Sequence, residues 1–287
     1  MEETVKKDER RVTVSIKDLH KSYGEKKVLL GVNLDVYEGE LFGFIGRNGI
    51  GKSTTIDCMI GAKKFDSGSI EICGYDISQE PIEAKTMFGY VASEPTCYEV
   101  MTGYDYLEFI ASIYGVGEVN FNKNYKYLVN RLALNENELK LPIGNYSHGM
   151  KQKLCLAASL LHNPDVWILD EPTVGLDPLG KKELLSMLEK LNKEYHKTVI
   201  LITHDMEVVS HIAKRVIVLA KGNIVFDGSK DTLFKNDKII SQYGLSYPNS
   251  IKILKAIKER FNLDLDIYQY NIDDCYQELR RVVGSNE

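Results

Sequence analysis

The sequence predicts an α/β protein with a mostly parallel sheet, and two observations carry that expectation. Leu41-Phe42-Gly43-Phe44-Ile45, an apolar run of buried-strand length, leads straight into Gly46-Arg47-Asn48-Gly49-Ile50-Gly51-Lys52-Ser53-Thr54, after which Thr55, Ile56, Met59 and Ile60 recur at helical spacing. Further on, the apolar run from Val166 to Asp170, a helical pattern from Leu179 to Glu194, the run from Thr198 to Thr203 and a strand pair around Lys221-Gly222-Asn223 follow in order. Strands that alternate with helices pack as a parallel sheet with helices on its faces.

The remaining elements attach to that core. Residues Val12 to Ile16 and Val28 to Val36 read as strands before the glycine loop, and Ser69 to Gly74 alternates again after the turn Asp66-Ser67-Gly68. Together they predict an antiparallel edge sheet. From Thr102 the character changes: Asp105 stands three residues on as a capping partner, and Leu107, Ile110, Ala111 and Tyr114 line one face until Gly115. A second helical pattern covers Tyr125 to Leu134, and a third starts at Ser147 as N-cap and runs to the break Asn163-Pro164. Residues 97–162 are thus expected to form a helical subdomain inserted in the core. Beyond residue 240, Ile251/Leu254/Ile257/Phe261 and Ile272/Cys275/Tyr276/Leu279 give two short amphipathic helices. The expected organisation is one nucleotide-binding unit, residues 11–240, and a small C-terminal appendage, residues 241–287.

With 287 residues, 44% of them hydrophobic, the chain is long enough for a full core. The net charge of −5, with lysine pairs scattered among acids, argues against nucleic acid as a partner. Five cysteines, far apart and without a C-x-x-C pair, read as reduced residues of a cytosolic protein. The segment Met1 to Arg11 is mostly charged, and the longest apolar runs are far short of a membrane span, so a soluble chain is expected.

The glycine loop fits G-x-x-x-x-G-K-[ST], a phosphate loop. Its backbone N–H groups, from Asn48 and Gly49 through Gly51 to Thr54, would surround the phosphates of a nucleoside triphosphate at a helix N-terminus. Lys52 would reach the β- and γ-phosphates, and the Ser53 hydroxyl would sit on Mg²⁺. Asp170-Glu171 at a strand end supplies two carboxylates, Asp170 for the metal and Glu171 for an attacking water.

Three further pieces complete a pattern: Tyr146-Ser147-His148-Gly149-Met150 about sixteen residues before the Asp170 strand, Gly175-Leu176-Asp177-Pro178 after it, and His204 at the end of the next strand. In this order the chain, over residues 11–235, resembles the ATP-binding cassette (ABC) family. The resemblance implies a P-loop NTPase (RecA-like) core and an ATP hydrolase that drives a separate transmembrane permease. Mg-ATP would lie between two ATP-binding subunits arranged head to tail. Ser147 and Gly149 match the signature that contacts the γ-phosphate of the opposite subunit, His204 the switch histidine, Asp177 the loop that speaks across the dimer, and Tyr23 the aromatic that stacks on adenine. A homodimer suffices, since loop and signature share one chain; a heterodimer with a related cassette is the alternative. The subunit would be cytoplasmic, held on the inner face of the membrane by its permease.

Two departures stand out. The middle signature glycine is His148, and in Gly89-Tyr90-Val91-Ala92-Ser93-Glu94-Pro95 the family's metal-contacting glutamine is Ser93, whose shorter side chain predicts a slower or less tightly coupled ATPase. Both stretches are similar to separate cassettes of multidrug, antibiotic and lantibiotic exporters. Tyr243-Gly244-Leu245 and the following helix are instead similar to cassettes of energy-coupling-factor importers, and a regulatory cassette with weak hydrolysis is a further alternative.

Overall fold

The structure, a computed structural model, describes residues 10–284. The chain opens with a long hairpin, β1 (Val12–Tyr23) and β2 (Lys26–Tyr37), followed by β3 (Leu41–Ile45), the glycine loop and α1 (Lys52–Met59). Next come β4 (Ser67–Ile72), β5 (Tyr75–Asp76), α2 (Pro81–Thr86) and β6 (Phe88–Val91). The helical block holds α3 (Gly103–Ile113), α4 (Glu118–Arg131), α5 (Glu136–Leu139) and α6 (His148–Leu160). The core resumes with β7 (Val166–Asp170), α7 (Pro178–Tyr195), β8 (Thr198–Thr203), α8 (Met206–Ile212), β9 (Arg215–Ala220) and β10 (Asn223–Ser229). Four helices close the described chain: α9 (Lys230–Phe234), α10 (Asp237–Gln242), α11 (Asn249–Phe261) and α12 (Ile272–Val283).

Two sheets result. The larger is ordered β10-β9-β3-β8-β7-β6, parallel throughout except for the β9–β10 hairpin at one edge. The smaller is the expected antiparallel edge sheet, ordered β2-β1-β4-β5. Its first two strands run longer than their alternation suggested. Register shifts between Ile16 and Leu19, with Asp18 at φ 47, break the period of two and hide the continuation.

Register decides what meets at the edge of the large sheet. Ile45 pairs with Thr203, Asp170 with Ile202 and Val91 with Leu169, so β3, β6, β7 and β8 end side by side. Ligands in open α/β sheets lie beyond these carboxyl ends.

Three buried clusters hold the arrangement. One joins the helical block to β7 and α7 through Leu107, Leu154, Trp167 and Leu188. A second fills the space between the two sheets, with Ile16, Phe42, Ile56 and Ile168. The third joins β3 and β9 to the C-terminal helices, setting Ile45 and Val218 against Phe234, Ile240 and Ile251. Each such large side chain contributes about 1.5–3 kcal/mol on burial. Helix α6 lies so close to β6 that a Cβ on Gly89 would stand 2.1 Å from the Ser159 carbonyl oxygen.

The expected caps are present: Thr102 accepts from the Asp105 amide at 3.1 Å and Ser147 from that of Met150 at 3.3 Å. Helix α4 starts seven residues before Tyr125, its polar first turns anchored by the buried Phe121 and by Asn124, whose Nδ2 donates to the Leu161 carbonyl at 2.7 Å. The short helices α2, α5, α8, α9 and α10 were outside the sequence expectation, because one or two turns give too few apolar repeats to register.

Candidate nucleotide site

The glycine loop turns between β3 and α1 as a tight cradle. Gly51 takes φ 113 at the N-terminus of α1, and a Cβ there would meet Leu29 Cδ2 at 2.9 Å; a Cβ on Gly46 would stand 2.5 Å from the Leu219 carbonyl. Lys52 is buried, its Nζ donating to the carbonyls of Gly46 at 2.6 Å and Arg47 at 3.1 Å. Burial lowers its pKa, while the nearby Glu171 and Asp170 carboxylates hold it up. Asn48, Gly49 and Ser53 face solvent and Thr54 is half-buried.

Asp170 ends β7 across from this lysine. Burial first, and the adjoining Glu171 second, raise its carboxyl to about 6, against the pull of Lys52. Glu171 follows in the left-handed region at φ 46, a conformation costly for a residue with a side chain and one that clusters at functional sites. Its carboxylate accepts from Thr203 Oγ1 at 2.9 Å, from the His204 amide at 3.0 Å and from His204 Nδ1 at 2.6 Å. Lys52, Asp170, Glu171 and His204 are thus brought together.

Ser147, Gly149 and Asp177 form a second group. Ser147 caps α6 and is exposed; Asp177 caps α7, accepting from the Gly180 amide at 2.6 Å; Leu176 Cδ2 is the atom closest to where a Gly149 Cβ would stand, 3.7 Å away. His148 turns within its own chain, its Nε2 lying 3.2 Å from the Val174 carbonyl, with its ring against Gly175. The groups are linked by Gln152, buried on α6, whose Nε2 donates to the carbonyl of Pro172, next to Glu171, at 3.4 Å. Sequence reading gave Gln152 no role, because a polar residue inside a helix has no local mark of burial.

Tyr23 ends β1 partly exposed, with Lys21 Nζ 5.1 Å and Lys63 Nζ 5.7 Å from its ring centre. Ser93 stands two residues past β6, half-buried on the same sheet edge as Asp170.

One neighbour was not anticipated. The segment Gly244–Ser246 lines, with Arg47, Asn48 and His204, a cleft of about 550 Å³ beside the glycine loop. The position of a Gly244 Cβ lies 3.3 Å from Arg47 Cδ. The sequence marked this segment only through a family likeness, and a contact across nearly two hundred positions leaves no local trace.

A phosphate loop, a carboxylate pair at the end of β7 and a capped serine helix now stand in one chain, and residues 29–174 match the sequence model of the ABC transporter family. The chain belongs to the ABC transporter family. It is 33% identical over 263 residues to the bacitracin transport ATP-binding protein BcrA of Bacillus licheniformis, covering 91% of this chain and 84% of that one. An energy-coupling factor transporter ATP-binding protein of Clostridium tetani is 34% identical, covering 91% and 92%. Among solved structures, one described as an ATP-binding subunit of an ABC transporter superposes with TM-score 0.72 at 28% identity, covering 93% of this chain and 99% of that one. A dimeric ATP-binding cassette in a post-hydrolysis state, bound to ADP and Pi, gives 0.69 at 25%, covering 75% and 98%. As an ABC ATP-binding subunit the chain binds ATP and hydrolyses it.

Proposed function

We propose that this subunit closes head to tail on a second copy of itself around Mg-ATP, hydrolyses it with Glu171 as base, and drives a separate permease that exports its cargo. The observation that carries the reading is the three-donor hold on the Glu171 carboxylate beside the buried Lys52.

In this account Lys52 gives up its loop carbonyls for the β- and γ-phosphates, and the amides of Asn48 to Thr54 surround them. The donor set fits Mg²⁺. The described residues hold no group of three or more His, Cys, Asp or Glu, but an ion completed by phosphate oxygens and water would need from the chain only the Ser53 hydroxyl and the Asp170 carboxylate, with the Ser93 hydroxyl as a further candidate donor from the same sheet edge. The burial that raises the Asp170 carboxyl is what a bound cation would relieve. When bound, such an ion would supply charge neutralisation on the phosphates.

Glu171 accepts the proton of a water that attacks the γ-phosphorus as the bond to the β-phosphate oxygen breaks. His204 and Thr203 keep its oxygens aimed, so the chain contributes position and charge and no covalent step. Ser147, Gly149 and Asp177 would reach the partner's nucleotide, and Tyr23 would stack on the base.

The permease surface we assign to the groove of about 380 Å³ between the Ser93 loop and the helical block, lined by Tyr90, Glu94, Tyr106 and Tyr114 among others. Beside it Tyr98 packs edge to face on Phe109, and Val100 and Ile113 are 91% and 61% exposed. No described helix is long and apolar enough to cross a membrane, so membrane attachment would run through this groove. Its test is fractionation of the source cells. Wild type should sediment with membranes and Phe109→Glu/Ile113→Glu should not, with purified ATPase unchanged; equal sedimentation contradicts the assignment.

A second reading, an energy-coupling-factor importer, is favoured by the Clostridium tetani relative, which aligns over 92% of its own length. Uptake against efflux in cells lacking the subunit decides between them.

A further inference from the structure

The loop after β6 and the helix α6 meet along one line. Lys151 and Cys155 lie one turn apart on α6, and opposite them on the loop stand Glu99 and Cys97. Lys151 Nζ reaches Glu99 Oε1 at 2.6 Å, and the sulfurs of Cys97 and Cys155 are 3.4 Å apart. The loop backbone is tied to the turn before Ser147 as well: the Gly144 amide donates to the Glu99 carbonyl at 3.0 Å and the Ile143 amide to that of Met101 at 2.9 Å. Cysteines that the sequence scatters over 58 positions are therefore in register and in contact.

A disulfide needs sulfurs about 2.05 Å apart. Closing the remaining distance takes a side-chain rotation and a small movement of the irregular segment around Cys97. Neither cysteine is fully buried; Cys155 lines the groove together with Glu94, Pro95 and Thr96, and Cys97 directly follows Thr96, so the groove is the route by which a small reagent would come to the pair. Cys58 and Cys73, by contrast, are buried.

We propose that Cys97 and Cys155 are a reversible thiol–disulfide pair which, when oxidised, fastens the Ser93 loop to the helix headed by Ser147 and slows ATP hydrolysis. The oxidant is a low-molecular-weight disulfide. The Cys97 thiolate attacks one sulfur of the reagent, forming a mixed disulfide and expelling one thiolate. Cys155 then loses its proton and attacks Cys97 Sγ, which forms the protein disulfide and expels the second thiolate. Two protein thiols lose two protons and two electrons, and the reagent leaves as two thiols. The hydrogen bond from Cys155 lowers the Cys97 pKa and raises that of Cys155, so Cys97 is the sulfur that ionises first.

The bond would act on turnover because both its ends lead to the site. Ser93 stands four residues before Cys97 on the sheet edge of Asp170, and Gln152, three residues before Cys155, holds the carbonyl next to Glu171. Any movement of loop against helix during the ATP cycle is lost once they are joined.

The test exposes the reduced full chain to oxidised glutathione and follows free thiols, linked peptides and ATPase rate. The proposal expects loss of two thiols, one linked peptide joining Cys97 to Cys155, and a several-fold fall in turnover that dithiothreitol restores. Reduced Cys97→Ser and Cys155→Ser should keep the basal rate and lose the response, while Cys275→Ser responds as wild type does. A reaction that stops at glutathionylated Cys97, or a linked pair whose ATPase rate is unchanged, overturns it.

Discussion

His204 holds the Glu171 carboxylate twice on the same oxygen, through its backbone amide at 3.0 Å and through ring Nδ1 at 2.6 Å. The Thr203 hydroxyl takes the other oxygen at 2.9 Å and in turn accepts from the Asp205 amide at 3.0 Å, so the base is tied to the first turn of α8. Lys181 pairs with Asp205, which brings the start of α7 into the same network. A carboxylate so held points one way, which is what a base aimed at a single water requires.

Glu171→Gln should therefore lower turnover by roughly a hundredfold to ten-thousandfold while leaving ATP affinity nearly unchanged. His204→Ala removes one of three donors and should cost less, about tenfold to a hundredfold, and the double variant should be no slower than Glu171→Gln alone. Steady-state ATPase beside nucleotide titration checks this. Additive losses would mean that His204 acts apart from Glu171.

The raised Asp170 carboxyl makes a prediction about pH. Near pH 5 the folded chain keeps a proton that the unfolded chain has released, so this group makes stability fall as pH rises from about 4 to about 6, and the cost is complete above 6. Without nucleotide or Mg²⁺, Asp170→Asn should be more stable than wild type at pH 7.5, by at most about 3 kcal/mol, and melt at a higher temperature, with the gap closing below pH 4. Mg-ATP should raise the melting temperature of wild type more than that of the variant. Scanning calorimetry across this range measures both, and a variant that melts lower at pH 7.5 contradicts the assignment.

His162 carries the opposite sign. Burial beneath Tyr114, whose ring stacks on it at 3.8 Å, lowers its pKa to about 4, so its contribution is present above the ordinary histidine range near 6.5 and is lost as pH falls towards 4. Replacing it by Gln should flatten the acid side of the stability profile. An unchanged acid limb would contradict the assignment of this acid loss to the buried imidazole of His162.

Gly89→Ala should destabilise the chain by roughly 1–3 kcal/mol, because its methyl would meet the Ser159 carbonyl and push α6 off β6. The Trp167 Nε1 bond to Ser159 Oγ, 2.8 Å long and fully buried, lies at the same contact. Urea denaturation gives the value; a loss below a few tenths of a kcal/mol would mean the helix moves freely there.

How much of this was legible in the sequence depended on range. The phosphate loop and the caps at Thr102 and Ser147 are short local patterns whose chemistry and geometry coincide, whereas Asp170-Glu171 drew its meaning from the motifs that surround it in the sequence. What escaped was set by contacts between distant positions: Gly244 beside Arg47, Gln152 under Pro172, and His148 turned to Val174 within its own chain. The cysteines show the same limit, since spacing alone gave no reason to bring Cys97 to Cys155.

The closed dimer can be weighed in solution, as the mass of Glu171→Gln with and without Mg-ATP. With the base removed, hydrolysis stalls and the sandwich stays closed, giving the mass of two chains with Mg-ATP and of one chain without it. A variant that binds ATP yet keeps the mass of a single chain would contradict the homodimer.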